Sequence, residues 1–450
     1  MKHPVAKVDY VELDGLIITM AKDYLPGPYY APVRDKRVST IFADGRYFVK
    51  TTAAEYDVII LNIGDPYTAQ LNRYYTVEFF REVKRVLKAG GVLSFGLGSS
   101  ESYMNRALRD FLASIYVTLA SVFDDVKVIP GETAYFLASG SRGALTYDYD
   151  ALMARAKERS LDIQYVREYY LSSKLAREKI LFMEDALRVP AKINHDFTPI
   201  SYYFDILFWA TRFKDSLYSA VFKIVTERVV WVVTACVAAL MLLAGLATRG
   251  AGRGFERATL LAVAGNGFSQ ISLQVVTLVA FQILYGYLFY KLGFVMTAYM
   301  AGIALGGWRA TRAIPGLKDE KRLIALSIGA IGLYAMALPV IFNALSGLKG
   351  GVFFWMGSNV VFALLPLAAG FMGGFLFPLA SKVRLAQGSG AGSVAGVNYG
   401  ADLAGACLGA VLSGAFLIPI LGIAKMCYLV AGVNGVVLIL IAMSARSYKL

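Results

Sequence analysis

The stretch YDVIILNIGDPYTAQLNRYYT, residues 56–76, decides the reading of the fold. Its apolar run over 58–61 has the length and β-branched content of a buried strand. A polar loop carrying Asn62, Asp65 and Pro66 follows, and then a helix. In open α/β sheets ligands bind beyond the carboxyl ends of the strands, so this loop is a place for chemistry.

The flanking sequence repeats the pattern. Residues 7–13 (KVDYVEL) read as a buried strand and 14–24 as the helix after it. Further strands are expected at 38–42 and 91–95, with a helix at 76–87 ended by the basic, glycine-bearing turn Lys88-Ala89-Gly90-Gly91. Residues 126–129 and 134–138 look like a terminal antiparallel pair joined by Pro130-Gly131. Strands alternating with helices argue a doubly wound sheet. Acids follow three successive strands. Glu12 closes YVELD, Asp44 sits in Ala43-Asp44-Gly45, and Asp65 lies in the loop after 58–61. An acid in such a place can accept hydrogen bonds from ribose hydroxyls or an exocyclic amine, and Gly45 lets a backbone come close. The bland alternative for Glu12 and Asp44 is a helix N-cap or a solvated loop acid.

The 62–66 loop resembles the active-site loop of the spermidine synthases, the aminopropyltransferases. Residues 71–76 (LNRYYT) and 193–209 (INHDFTPISYYFDILFW) resemble the membrane-fused bacterial members of that family. The resemblance implies a partial methyltransferase-like (Rossmann-like) domain and decarboxylated S-adenosylmethionine as co-substrate. It implies Glu12, with Asp14 beside it, on the ribose, Asp44 and Gly45 at the adenine, and Asp65 on an amine of a polyamine such as putrescine. Asn62 and Asp65 then stand at the reacting centre, where the family usually carries aspartate in place of Asn62. An amide cannot take a proton at neutral pH. The family's glycine-rich loop after a central strand has no counterpart before Glu12. An N-terminally truncated domain is the expectation: either a separate or upstream segment completes it, or the start is misplaced, or the domain is degenerate, and the chain alone is expected to turn over little. The alternative is a non-enzymatic polyamine carrier or sensor whose α/β half only binds.

Composition adds a second half of another kind. Of 450 residues, 57% are hydrophobic and the mean hydropathy is +0.54. A soluble domain carries about 45–50% apolar residues. The excess begins near residue 229, where apolar runs alternate with short basic loops. The net charge of +13 is then the basic flanking of membrane spans. No basic stripe interleaved with aromatics suggests nucleic acid. Cys236, Cys407 and Cys427 all fall in apolar runs and read as small buried hydrophobes. Only two histidines, His3 and His195, leave little basis for a metal or triad site, and the opening MKHPVAKVDY lacks the apolar core of a signal peptide.

The expected organisation is a partial nucleoside-binding domain over 1–140, a helical connector with an interfacial helix over 141–228, and a transmembrane domain of about seven helices over 229–450. Asn194 and Asp196 before Pro199 are expected to cap the helix that follows. Candidate spans are 229–247, 264–290, 294–308, 323–343, 352–379, 401–421 and 426–443. Arg249, Arg253, Arg257, Arg309, Arg312, Lys318, Lys321, Arg322, Lys382, Arg384, Arg446 and Lys449 fall on one side. Only Lys291, Lys349 and Lys425 fall on the other, which places the first set in the cytoplasm of a multi-pass inner-membrane protein. The last six spans resemble half of a major-facilitator transporter. A cytoplasmic nucleoside asks for a cytoplasmic soluble half as well, which requires 229–247 not to cross fully. Asn266, Gln270 and Gln274 share one helix face and Asp402 opens a later span, so they are candidates for function or for interhelical hydrogen bonding.

Overall fold

A computed structural model describes residues 5–160, 168–211, 226–247, 254–286, 289–316, 319–348, 351–386 and 390–445. His3, Arg249, Arg253, Lys318, Lys349, Arg446 and Lys449, named above, lie outside these residues. The chain divides into two compact units, 1–214 and 215–450. Residues 168–211 therefore fall within the first unit.

In the first unit β1 (Val8–Glu12) runs parallel to β2 (Val38–Phe42), with α1 (Gly15–Tyr24) between them. After α2 (Gly45–Thr51) a second sheet begins. There β3 (Tyr56–Leu61) is parallel to β4 (Leu87–Gly98) across α3 (Val77–Val86). The sheet order is β3-β4-β6-β5, with α4 (Arg106–Ala120) before the antiparallel pair β5 (Asp125–Ile129) and β6 (Thr133–Ser139). Among the described residues nothing pairs with the second edge of β1 or of β3. The strands thus fall into two groups, and β1 and β3 each leave one edge unpaired among the described residues. The Tyr56 hydroxyl donates to Asp9 Oδ2 at 2.8 Å, a side-chain link between the two groups.

Alternation decides the faces. Leu93, Phe95 and Leu97 of β4 point into a core with Phe79, Phe80 and Val83 of α3 and Phe111, Leu112 and Ile115 of α4. Phe95 stacks on Phe136 of β6 at 5.2 Å. The opposite face is uncovered, with Val58 and Ile60 55% and 71% exposed, and α1 buries no residue. One expectation is corrected here. Lys88 to Gly91 do not close a helix. α3 ends at Val86, and these residues open β4, where Gly90 takes φ 74 and the register on β3 shifts. That left-handed φ suits glycine.

α5 (Ile200–Thr211) is the last described helix of the first unit, and the second unit is helical. Its long helices are α6 (Glu227–Ala247), α7 (Gly254–Tyr285), α8 (Phe289–Ala313), α9 (Glu320–Gly347), α10 (Phe362–Leu385), α11 (Ala391–Leu412) and α12 (Ile418–Ala445), the last broken at Gly422 with φ 78. Five apolar stretches are long enough to cross a membrane by length and composition, and one of them, Ala391–Ser444, holds both α11 and α12.

α7–α8–α9 and α10–α11–α12 are copies of one another. Gly267 and Phe268 match Gly370 and Phe371; Ala301, Gly302, Leu305 and Gly306 match Ala404, Gly405, Leu408 and Gly409; Gly329 and Gly332 match Gly432 and Gly435, all at one constant offset. Packing repeats with the sequence. α8 lies on α10 as α7 lies on α11, and α9 lies on α10 as α7 lies on α12. A Cβ on Gly302 would overlap the Leu367 carbonyl oxygen, and one on Gly405 the carbonyl oxygen of Ala264, the residue equivalent to Leu367. Likewise Gly370 rests on the Tyr299 carbonyl and Gly267 on that of Asp402, again equivalent positions. The two copies are therefore related by a pseudo-two-fold axis. Each holds three helices, so successive copies run in opposite directions, the arrangement of inverted-topology repeats.

Candidate active site at the strand ends

Two parallel pairs of strands, β1–β2 and β3–β4, carry the candidate residues at their carboxyl ends. Glu12 closes β1, half-buried. Its Oε1 accepts from the Asp14 backbone N–H at 3.2 Å and its Oε2 from the Tyr10 hydroxyl at 3.2 Å. Asp14 caps α1 by accepting from Leu16 N at 2.9 Å. The next strand ends one step on, where Ala43 N donates to the Glu12 carbonyl. Asp44 Oδ1 there caps α2, accepting from the N–H groups of Arg46 and Tyr47 at 3.1 and 3.0 Å. Glu12, Asp14, Asp44 and Gly45 thus share the end of the β1–β2 pair. Of the two acids of the cap reading, Asp44 caps a helix and Glu12 does not; the cap of α1 is Asp14.

The second sheet contributes Asn62, exposed just beyond β3, and Asp65. Both carboxylate oxygens of Asp65 accept from the Gly98 N–H at the end of β4, at 3.2 and 3.3 Å. A Cβ on Gly98 would come within 2.9 Å of Asp65 Oδ2, so glycine is what lets the carboxylate approach that backbone. Tyr75 Oη donates to the Gly64 carbonyl at 2.9 Å and fixes the loop from below.

The 71–76 run wires these loops together, which its sequence did not disclose. Asn72 Oδ1 accepts from Asn194, Tyr75 holds Gly64, and Arg73, 2% exposed, pairs with Asp44 and lies over the Tyr74 ring. Burial raises the Tyr74 hydroxyl above its ordinary pKa, against the lowering effect of Arg73. Asp196 also departs from expectation. It does not cap the following helix; it accepts two bonds from Arg46, at 2.7 and 2.8 Å, and one from Thr76 Oγ1 at 2.7 Å. Arg46 completes its set with Glu82 at 3.0 Å and the Arg73 carbonyl at 3.0 Å. A buried guanidinium needs such planar, two-oxygen partners, and these overrode the local capping preference. Asn194 does act locally, accepting from Ser201 N at 3.3 Å. The missed signal was the pairing of lone acids and bases among apolar neighbours, Arg46 and Arg73 against Asp44 and Asp196.

Residues 1–124 match the family model of the spermine/spermidine synthase domain. The chain is 38% identical over 93 residues to a polyamine aminopropyltransferase of Korarchaeum cryptofilum, covering 21% of this chain and 29% of that protein. It is 27% identical over 166 residues to the polyamine aminopropyltransferase of Pyrobaculum arsenaticum, 36% of this chain and 56% of that one. Among solved structures, spermidine synthase from Thermotoga maritima aligns with a TM-score of 0.32 at 22% identity, over 41% of this chain and 61% of that chain. The chain thus spans between about a third and a little over half the length of the curated relatives it matches.

Proposed function

We propose that the first unit binds decarboxylated S-adenosylmethionine and a polyamine such as putrescine, and that it belongs to an aminopropyl-transferring system of a membrane. The observation that supports this reading is that Glu12, Asp44 and Asp65 follow β1, β2 and β3, strands of two parallel pairs, within residues that match a spermine/spermidine synthase domain. Glu12 accepts from the ribose hydroxyls, with Asp14 beside it. Asp44 and Gly45 face the adenine, and Asp65 accepts from an amine. In the reaction the amine nitrogen attacks the methylene next to the sulfonium. The carbon–sulfur bond breaks, its electrons return to sulfur, and the amine loses a proton. Asn62 can orient that amine but cannot take its proton, so the proton falls to Asp65 or to solvent.

The open edges of β1 and β3 bear on activity. A parallel strand between them, from an upstream or separate segment, would satisfy both edges and bring a loop to the same end of the sheet, over the nucleoside's tail. A second reading, a polyamine carrier or sensor that binds without transfer, draws on Asn62 standing where a base is wanted.

Titration of the purified chain with decarboxylated S-adenosylmethionine, with and without putrescine, tests the proposal. Binding of the nucleoside with little or no spermidine formed is expected of the chain alone. Robust turnover would overturn the need for a completing strand, binding without turnover even when a strand and loop are supplied favours the sensor, and no binding at all removes the proposal.

A further inference from the structure

We propose that the helical unit carries a binding site of its own for a linear alkyl polyamine, on its pseudo-two-fold axis, formed by Asn266, Gln270 and Gln274 of α7 and Asp402 of α11. The inference rests on the helical unit and not on the reading of the first one.

Symmetry locates the site. Gln270 and Gly373 occupy equivalent positions in the two copies, and they touch: a Cβ on Gly373 would lie 2.6 Å from the Gln270 amide carbon. Two equivalent residues can meet only beside the axis that relates them. Solutes of inverted-repeat proteins bind at the interface of the repeats, near the middle of the membrane. Gln270 stands near the middle of the 32-residue α7.

The copies match along their glycine seams and differ here. Asn266, Gln270 and Gln274 correspond to Ala369, Gly373 and Phe377, and Asp402 corresponds to Tyr299. The scaffold is duplicated, while the polar groups belong to one copy only. They are also costly as they stand. Asn266, Gln270 and Gln274 are 6%, 4% and 6% exposed. Asn266 Nδ2 donates to Asp402 Oδ1 at 3.3 Å, but Asn266 Oδ1 and both amide atoms of Gln270 and of Gln274 make no hydrogen bond among the described residues. Neighbouring polar pairs serve as interhelical fasteners and are satisfied: Ser272 with Ser413 at 2.8 Å, and Ser269 with Asn434 at 2.8 Å. Five buried orphan atoms on one face are not explained by helix packing, because each such group costs free energy unless something hydrogen-bonds to it.

Their chemistry selects the ligand. Three amide oxygens and a carboxylate accept hydrogen bonds and favour a cation with several N–H donors. Positions four apart on a helix rise by about 6 Å. That is roughly the separation of two ammonium groups joined by four methylenes, five bonds of about 1.5 Å that each advance about 1.25 Å along a zigzag. The Gln270 side chain fills the space a Cβ on Gly373 would take, so glycine there is what admits the amide to the axis. The amide N–H groups are left for water or for an amine in its neutral form.

The test uses the full chain purified in detergent, with labelled putrescine and spermidine as probes. Gln270→Met and Asp402→Asn are each expected to weaken amine binding roughly tenfold or more, the scale of one hydrogen bond to a charged group. If the first unit also binds the probe, the variants remove one class of site and leave the other. Gln270→Met is further expected to raise the melting temperature of the unliganded protein, since it deletes two unsatisfied polar atoms at nearly constant volume. It carries the test if Asp402→Asn does not fold. Unchanged amine binding in Gln270→Met together with a lowered melting temperature would show that the amides are structural. Stabilisation by sodium ions alone, with none by either amine, would overturn the ligand class.

Discussion

Asp44 and Glu12 are both acids at strand ends, yet their surroundings give them different duties. Asp44 divides its carboxylate between the start of α2 and the buried Arg73, so it is both a candidate adenine acceptor and a structural partner. Removing its charge strands a guanidinium that is 2% exposed. Asp44→Asn is therefore expected to destabilise the first unit by about 3–5 kcal/mol, as breaking one side of a buried pair does, and chemical denaturation will show it. Glu12 carries no such load, since its partners are the nearby Tyr10 hydroxyl and Asp14 N–H. Glu12→Gln should leave the unfolding midpoint close to wild type and weaken nucleoside binding by about 1–3 kcal/mol, the value of a charge-assisted bond. Unchanged affinity in calorimetry would remove Glu12 from the ribose site. These two acids were legible in the sequence because strand, acid and turn stand together within a few residues. The Arg46–Asp196 pair was not, because its members are 150 residues apart and nothing local marks them.

At the scale of elements, what local periodicity governs was readable. The strands at 38–42 and 126–129 fall within a residue of the expected positions, and the antiparallel pair joined at Pro130-Gly131 is as expected. The start of β4 was misread because glycine after lysines signals a helix end and a strand bulge equally well. The repeat was hidden for another reason. Apolar helices draw on few residue types, so a shared pattern of glycines looks like ordinary membrane composition until its constant offset is noticed. Once seen, it predicts paired consequences. Gly302→Val and Gly405→Val place a side chain against equivalent carbonyls, of Leu367 and Ala264, and should lower the melting temperature of the detergent-solubilised protein by similar amounts. Overpacking of this kind costs about 1–3 kcal/mol or more. Gly396→Ala meets no atom within 4 Å and should have little effect. Unequal damage from the two valines would argue against the two-fold relation.

For the molecule as a whole, the course of the chain through the helical unit fixes a relation that composition alone left open. Glu227 opens α6, and it pairs with Lys425, just after the break at Gly422 from which the rest of α12 runs. α6 packs on α12, so the two helices start at the same end and run side by side. Trp231, Val232, Val233, Leu240 and Leu243 of α6 are exposed apolar residues, suited to lipid and not to a membrane surface facing water. In a bilayer the chain then enters the bundle on the side opposite to its C-terminal end. A crossing of α6 puts the soluble half and the C-terminus on opposite sides, whereas the expectation that both share the cytoplasm requires residues 229–247 not to cross. Single-cysteine reporters at Ser141 and Ser447, in a background lacking Cys236, Cys407 and Cys427, measure it with an impermeant thiol reagent on intact cells. One reporter should react and the other stay protected, and reaction or protection of both would refute the crossing of α6. The basic residues clustered toward the C-terminal side favour Ser141 as the one that reacts. A nucleoside co-substrate made in the cytoplasm requires the reverse, Ser141 protected and Ser447 labelled. The sign of this one experiment therefore decides between charge and chemistry as the force that orients the chain, and labelling at Ser141 would remove cytoplasmic decarboxylated S-adenosylmethionine from the candidates for the strand-end site.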